Sequence, residues 1–560
     1  MSEEKSTVVP YSDDLPPQGL DTISETGRYS LSFWPAYLWR EYFPVFIGVF
    51  WVLMTVYFGF ALGLKKKTAL SDILPLIFLY VFISLKFLFI FVSSDFLSTG
   101  FSFFWNIVFV KPSHMIPERF RVIVYAVTVF AIFLVVTLTL PVSEYGGRGT
   151  RIQSLAGIVI VIFFMTLTSK YPRKIQWYTV ITGQLLQFIL GVIVLKTNAG
   201  LQFFKWLSEI ASGLLEFSVA GTEFLFGEKL IEDYGGFAFT VFPAVIFFVA
   251  LIQIVYFLGG MQWLIGKLSV FFTALMGTSG SESVVASACP FVGQGESAVL
   301  VSQYVEFMTK SELHAIMTSG FSTISGSVLS GYLSLGIDLT YIITSCIMSI
   351  PCSLAMSKLR YPETEESLTK GKAVKPKAET EDINFLHAAG NGAALGMTLS
   401  LLIAASLIAI ISLLAFINFI LTWLGQFVGI NDPVLTLNLI LGYILYPFAW
   451  LLGVPALDLL SVSKLLGTKI VANEFVAYSD LVTKDAKGNS VISSIEPRSR
   501  IIVQFALCGF ANFSSVGMQI GAIGAISPPR KGDLARLALS AMFTGFISTC
   551  ISAAIAGLLL

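Results

Sequence analysis

Two stretches of this chain place carboxylates and amides where the surrounding sequence is apolar. In Gly277–Ser302, reading GTSGSESVVASACPFVGQGESAVLVS, Glu282, Gln294 and Glu296 are set around Pro290, Gly293 and Gly295. In Leu437–Tyr478, which ends GTKIVANEFVAY, the polar residues are Lys469, Asn473 and Glu474. A charge at mid-depth in a bilayer costs roughly 2.5–3.5 kcal/mol on insertion scales, so such groups persist where they pair or where they bind something. Lys469 is near enough in sequence for a structural pair with Glu474, whereas Glu296 has no basic residue in its own segment. Glu282 stands three residues after Ser279, the spacing of a helix N-terminal capping box, and that role competes with a functional one.

The elements that must hold these groups are interrupted ones. Each segment is too rich in glycine, proline and small polar residues for one lipid-facing helix. Each is followed by a polar, small-residue span: GFSTISGSVLSGY from Gly320 and GFANFSSVGMQIG from Gly509. The two spans align Gly320 with Gly509, Phe321 with Phe510, Thr323 with Asn512 and Ser325 with Ser514, and the upstream segments share the openings Gly277-Thr278 and Gly467-Thr468. A broken helix leaves backbone N–H and C=O groups unpaired, which hydrocarbon forbids unless the break lines a cavity or a ligand site. A duplicated break followed by a polar helix is the pattern of a secondary transporter with a site at mid-membrane. Small residues also serve plain helix contacts in membranes, but that reading leaves the carboxylates unexplained.

The rest of the chain fits a membrane frame. Of 560 residues, 55% are hydrophobic and 12% charged, with 49 Phe and a mean hydropathy of +0.80, which excludes a soluble domain. Apolar runs long enough to span fall near 42–63, 73–96, 119–141, 152–169, 176–196, 237–259, 340–358 and 395–424, with a last one from Leu534 to the C-terminus. The cluster Lys170–Lys174, KYPRK, belongs in the cytoplasm under the positive-inside rule. Counting back from it places the N-terminus, Lys111, Arg119 and Arg121 on the same side, with Lys65–Lys67 the one violation. Phe203–Phe217 has the apolar spacing of an interfacial helix or one packed on its neighbours, and 360–384 and 479–499 read as solvated linkers.

Several functions are excluded or disfavoured. The 35 basic and 35 acidic residues cancel, so no net field attracts nucleic acid. The five cysteines, Cys289, Cys346, Cys352, Cys508 and Cys550, show no metal or disulfide spacing and read as packing residues. A membrane-embedded hydrolase would need a nucleophile and base. The only histidines, His114, His314 and His387, fall in or beside expected loops and read as surface or helix-end residues, and GTSGS at 277–281 fails GxSxG. No Walker sequence supports ATP-driven transport. A passive channel is separated from a symporter only by whether uptake is concentrative.

The run Gly467-x-Lys469-x-x-x-Asn473-Glu474-Phe475-Val476-Ala477-Tyr478, with GQGES, KSELHAIMTSGFSTISGSVL and ALCGFAN, resembles the signature segments of the concentrative nucleoside transporter family over about residues 150–560. The three preceding spans resemble the extension of eukaryotic members, and the expectation is a fungal-type, plasma-membrane protein. The resemblance implies an all-α integral membrane fold: a polytopic helical transporter with two re-entrant hairpins and internal inverted repeats, divided into scaffold and transport domain, assembled as a homotrimer in the bilayer. The chain then divides into a disordered cytoplasmic tail (1–40), three N-terminal transmembrane helices (41–145), a first core part (150–365) with the interfacial helix and first hairpin, a charged linker (366–390), and a second core part (391–560) with the second hairpin.

The resemblance also implies roles. Gln294 and Glu296 would contact the nucleobase, with Val328 against it; Glu474, Asn512 and Ser515 would hold the ribose hydroxyls, and Phe510 would line the pocket. The residue types suit this, since a carboxylate accepts two hydroxyl protons and an amide both donates and accepts. The sodium-site positions of relatives fall on Cys289, Val292, Thr323 and Ile324; Cys289 stands where sodium-coupled relatives have Asn, and Pro290 follows it. A thiol is a poor ligand for a hard cation. The expectation is therefore coupling to a proton, taken up at Glu296 or Glu474 with the substrate, with sodium coupling as the alternative, and no cofactor. Gly295 stands where many relatives have a hydroxyl residue, and Gly293 resembles the small residue of purine-tolerant members, so purine nucleosides and uridine are the expected substrates.

Overall fold

The computed structural model describes residues 36–64, residues 76, 77, 80, 81 and 84, and residues 118–560 apart from 143–144, 228–236, 371–373, 375–381, 485–487 and 489. Most of the expected tail and second anchor, Lys65–Lys67, Lys111 and His114 lie outside the described residues. The chain forms two units, Met1–Met115 and Ile116–Leu560. In the first unit, helix α1 (Ala36–Leu64) is joined to the next segment by Trp51 Nε1 donating to Ser84 Oγ (3.0 Å), by a Thr55–Tyr80 hydroxyl contact (3.0 Å), and by Phe58 stacking on Tyr80.

The second unit is helical throughout, with no strand among its described residues beyond two isolated bridges. It opens with α2 (Glu118–Thr139), α3 (Arg148–Leu167), α4 (Trp177–Lys196) and α5 (Asn198–Phe226), continues through α6 (Phe237–Phe257) into α7 (Gly260–Met276), and reaches the first broken segment. That segment comprises α8 (Gly280–Val292), α9 (Glu296–Val299), α10 (Ser302–Val305), α11 (Lys310–Ser322), α12 (Leu329–Ser334) and α13 (Leu339–Arg360). After α14 (Phe385–Phe427) and α15 (Leu437–Leu451) the scheme returns with α16 (Leu459–Val471), α17 (Glu474–Val482), α18 (Val491–Ser494), α19 (Pro497–Leu507), α20 (Phe513–Ile526) and α21 (Lys531–Leu559). By length and apolar content six described helices can cross a membrane, or seven if α6 and α7, bent by 76° about Gly259 (φ +75°), count as one. These correspond to the seven runs expected from residue 119 onward.

Burial separates helices of similar hydropathy. The spanning windows of α13 and α21 are 89% and 94% buried, those of α2 and α14 only 17% and 12%. The central pair is rich in Ser, Thr, Cys and Gly, which let backbones approach: a Cβ at Gly545 of α21 would lie 2.6 Å from Phe321 Cβ. Gly392 and Gly396 do the same for α14, where added Cβ atoms would meet the Ala250 and Ile246 Cα atoms of α6 at 2.8 and 2.7 Å.

Three expectations change in detail. The stretch after α13 begins as a packed strap: Tyr361 and Thr369 are buried, and Lys370 bridges to Ser279. Its order follows from Glu312, whose carboxylate accepts from Ser367 Oγ at 2.6 Å. At the end of 479–499, Arg498 is buried, donating to Gly453 O (2.8 Å), Thr150 O (3.1 Å) and Ser154 Oγ (3.0 Å). His314 is neither near a loop nor exposed; it is buried inside α11 between Ser357 Oγ (2.7 Å) and Ser540 Oγ (3.1 Å), because hydroxyls on α13 and α21 satisfy both ring nitrogens.

Candidate functional site

Each break has a local cause. α8 ends at Gly293, whose φ of +119° suits glycine, and α9 restarts after Gly295. α16 ends at Ala472, and Asn473 caps α17, its Oδ1 accepting from Val476 N at 2.9 Å. α19 gives way to Gly509 (φ +101°), and Asn512 caps α20 by accepting from Ser515 N at 2.8 Å. The breaks after α11 and α19 touch: Phe510 N–H donates to Thr323 O (3.3 Å), and a Cβ on Gly509 would be 2.9 Å from Phe321 O. The sequence alignment of the two spans therefore slips in space. Gly320 lies inside α11 while Gly509 lies in the break, so the second helix stops about one turn earlier.

Where the breaks converge there is a cavity of about 340 Å³. The first half contributes Val292, Gln294, Glu296, Ser325 and Val328; the second contributes Asn473, Glu474, Phe475, Phe510, Asn512, Ser514, Ser515 and Met518. Val245 of α6 and Leu399, Leu402 and Ile403 of α14 form a further apolar wall. All seven residues expected to contact substrate thus line one chamber. Of the four expected cation positions, Val292 does so; Cys289, Thr323 and Ile324 are buried and lie outside its lining.

Glu474 is held in place from two sides. Its Oε2 accepts from Asn512 Nδ2 at 2.9 Å and its Oε1 from Tyr332 OH at 3.4 Å. Tyr332 is itself fixed by the Phe475 and Tyr478 rings (centroids 4.7 and 4.9 Å). Asn512 Oδ1 is used by Ser515 N and Ser514 Oγ, both at 2.8 Å, so the Asn amide is locked and the carboxylate keeps lone pairs for a ligand. Its place in the first turn of α17 favours negative charge. Across the chamber Gln294 Oε1 is buried with no hydrogen-bond partner among the described residues. Among the described residues no lysine, arginine or histidine lines the chamber, so it is built for a ligand that donates hydrogen bonds and carries no negative charge.

The carboxyl ends of α8 and α11 meet at the expected cation positions: a Cβ on Gly326 would lie 3.0 Å from Phe291 O, and one on Gly293 3.2 Å from Ser325 Cβ. Cys289 Sγ is 3.3 Å from Ser297 Oγ, and Thr323 Oγ1 donates to Ser319 O at 3.1 Å. Available donors here are carbonyls and hydroxyls; among the described residues no group of three or more His, Cys, Asp or Glu could hold a metal. Lys469 does not pair with Glu474 but donates to Ala506 O and Cys508 O, both at 2.8 Å. Glu282 forms the capping box with Ser279 and adds a buried ion pair to Lys358 at 2.9 Å.

Sequence reasoning missed Ser297, the α6 and α14 wall, and Gln519, whose Nε2 donates to Met317 O (3.2 Å) and lies against Gly320. A lone glutamine in the apolar α20 was a signal for the last; the apolar Leu399, Leu402 and Ile403 of α14 offered none.

Family models match most of the second unit: the Na+ dependent nucleoside transporter N-terminus over 156–229, the nucleoside recognition Gate over 238–338, and the Na+ dependent nucleoside transporter C-terminus over 341–557. Solute carrier family 28 member 3 of Eptatretus stoutii is 38% identical over 82% of this chain and 69% of its own length. The Homo sapiens member 3 is 42% identical over 73% and 60%, and sodium/nucleoside cotransporter 2 of Rattus norvegicus 40% over 74% and 63%. The chain thus spans between 60% and 69% of these curated relatives. CNTnw, solved in an inward-facing substrate-bound state, is 36% identical with a TM-score of 0.67, covering 73% of this chain and 98% of that one. Its outward-facing structure gives 0.68, 73% and 97%. Identity at this level over nearly the whole of a solved relative, joined to the duplicated breaks and the chamber between them, places the chain in the concentrative nucleoside transporter family, whose members are membrane transporters and not enzymes.

Proposed function

We propose that this protein is a cation-coupled symporter that imports nucleosides across the plasma membrane, with its N-terminus in the cytoplasm and three copies forming the working assembly. The observation that carries the reading is Glu474: a carboxylate positioned by Asn512 and Tyr332 in a chamber without a basic side chain. Ribose hydroxyls donate to Glu474, beside Asn512 and Ser515, with Phe510 on the wall. Gln294 and Glu296 take the edge of the base, and Val328 its face. The two broken segments carry these groups together past α6 and α14, whose apolar side chains complete the chamber, and so open it to either side in turn. The outward- and inward-facing states of CNTnw support such a cycle for the fold.

The proton is the proposed coupling ion, because Cys289 offers no amide oxygen at the junction of α8 and α11. A sodium-coupled reading is favoured by the sodium/nucleoside cotransporters among the relatives. Uptake of labelled uridine and adenosine into cells lacking nucleoside transport, with sodium replaced and external pH varied, separates these. Acid-stimulated accumulation without sodium supports the proton, and strict sodium dependence replaces it by sodium. Uptake that never exceeds the bath concentration refutes symport.

A further inference from the structure

In each half of the core, a helix that stops at a break brings its carboxyl end to that of a second interrupted helix: α8 to α11 in the first half, α16 to α19 in the second. The last four carbonyls of a helix lack intrahelical partners and carry partial negative charge. Two such ends meeting in a buried interior favour a positive group.

In the second half that group is covalent. Lys469, fully buried in the last turn of α16, donates to Ala506 O (2.8 Å), Cys508 O (2.8 Å) and Thr549 Oγ1 (3.3 Å), with the Phe546 ring 5.6 Å away. An ammonium has three N–H donors, and all three are used. The nearby carboxylate, Glu474, is engaged instead by Asn512 and Tyr332. In the first half the corresponding junction has no lysine or arginine: α8 contains neither, and Lys310, the one in α11, starts that helix at its far end.

We propose that Lys469 is a built-in cation, the permanent occupant of the second-half junction, and that it positions the substrate chamber through the Cys508–Asn512 turn. By holding the carbonyls on both sides of Leu507 it fixes where α19 ends, and Phe510 and Asn512 are set by that end. The two halves then differ in one respect: the second has its positive charge tethered, and the first has none of its own. Lys469 is a positioning residue, and this role rests on the symport reading above.

The test uses full-length purified protein with the coupling cation saturating, and reads uridine affinity by calorimetry and particle homogeneity by size exclusion. Lys469→Met and Lys469→Ala are expected to lose tenfold or more in affinity. For Lys469→Ala, ammonium chloride is expected to recover most of that loss, because a free ammonium can occupy the vacated carbonyls, whereas tetramethylammonium chloride at equal ionic strength is expected to recover none. Should the Ala variant aggregate, the same two salts are compared on its elution profile, with ammonium alone expected to restore a single peak. Wild-type affinity in the Met variant, or no difference between the two salts in either readout, overturns the proposal. Wild-type protein that binds no uridine would sink the reading of the chamber instead.

Discussion

Replacing Glu474 by Gln isolates the charge of one buried carboxylate while keeping its shape. In the structure both oxygens face donors, Asn512 Nδ2 at 2.9 Å and Tyr332 OH at 3.4 Å, and on the proposed reading the remaining lone pairs take two ribose hydroxyls. A hydrogen bond to a charged group contributes about 1.5–3 kcal/mol, against about 0.5–1.5 for a neutral one. Glutamine keeps one acceptor and turns an N–H₂ toward a group that must itself donate. The expected loss is about 2–4 kcal/mol, or roughly 30- to 1000-fold in affinity. The assay is a double cycle: uridine and its 2′- and 3′-deoxy analogues, each against wild type and Glu474→Gln, with surface abundance measured alongside. If Glu474 holds the ribose, removing a hydroxyl costs affinity in wild type and little further in the variant. Additive losses, or unchanged uridine affinity in the variant, would refute the ribose assignment.

Gly509→Ala places a Cβ at φ +101° and 2.9 Å from Phe321 O, so a stability loss of about 1–3 kcal/mol and impaired uptake are expected, while Gly517→Ala, with open space around it, should melt like wild type in a fluorescence-detected thermal assay. Lys358→Met strands Glu282 and Glu363, whose carboxylates lie 2.9 and 3.2 Å from its ammonium; a cost of about 3–5 kcal/mol is expected, and adding Glu282→Gln should return part of it. Cys289→Asn supplies an amide oxygen beside Ser297 and should make uridine uptake respond to sodium; an unaltered sodium response would remove the argument that the thiol disfavours that ion.

How much of this was legible in the sequence depended on whether a residue broke a local rule. Charged and amide groups in apolar surroundings, and glycines beside them, violate the bilayer's demand for paired backbone and neutral side chains, so Gln294, Glu296, Glu474 and Asn512 stood out, and all line the chamber. Leu399, Leu402 and Ile403 violate nothing. They satisfy the same lipid-facing pattern as the rest of α14, and only the tertiary contact with α6 turns them toward the chamber. Lys469 stood out for the right reason, but its partners could not be read from the chain. Sequence proximity suggested Glu474, whereas carbonyls freed where α19 stops are in hydrogen-bond range, and no pattern in the chain announces which residues will end a helix facing a lysine. His314 failed in the opposite way: its partners, Ser357 and Ser540, belong to helices remote in sequence, so nothing local marked it as interior.

The same asymmetry bears on what the chamber can carry. Glu296 and Glu474 face it with no basic side chain among its described lining residues, and the buried Lys469 has its three donors committed elsewhere. A neutral nucleoside can satisfy hydrogen bonds there but cannot cancel charge. Moving an uncompensated carboxylate past the apolar side chains of α6 and α14 would incur the penalty that keeps such groups out of lipid. A positive charge must therefore travel with the substrate, whether as a proton on a carboxylate or as an ion where α8 and α11 meet. By the same reasoning a nucleotide, whose phosphate adds negative charge to a site that already has an excess, is expected to be rejected before its base and sugar are read.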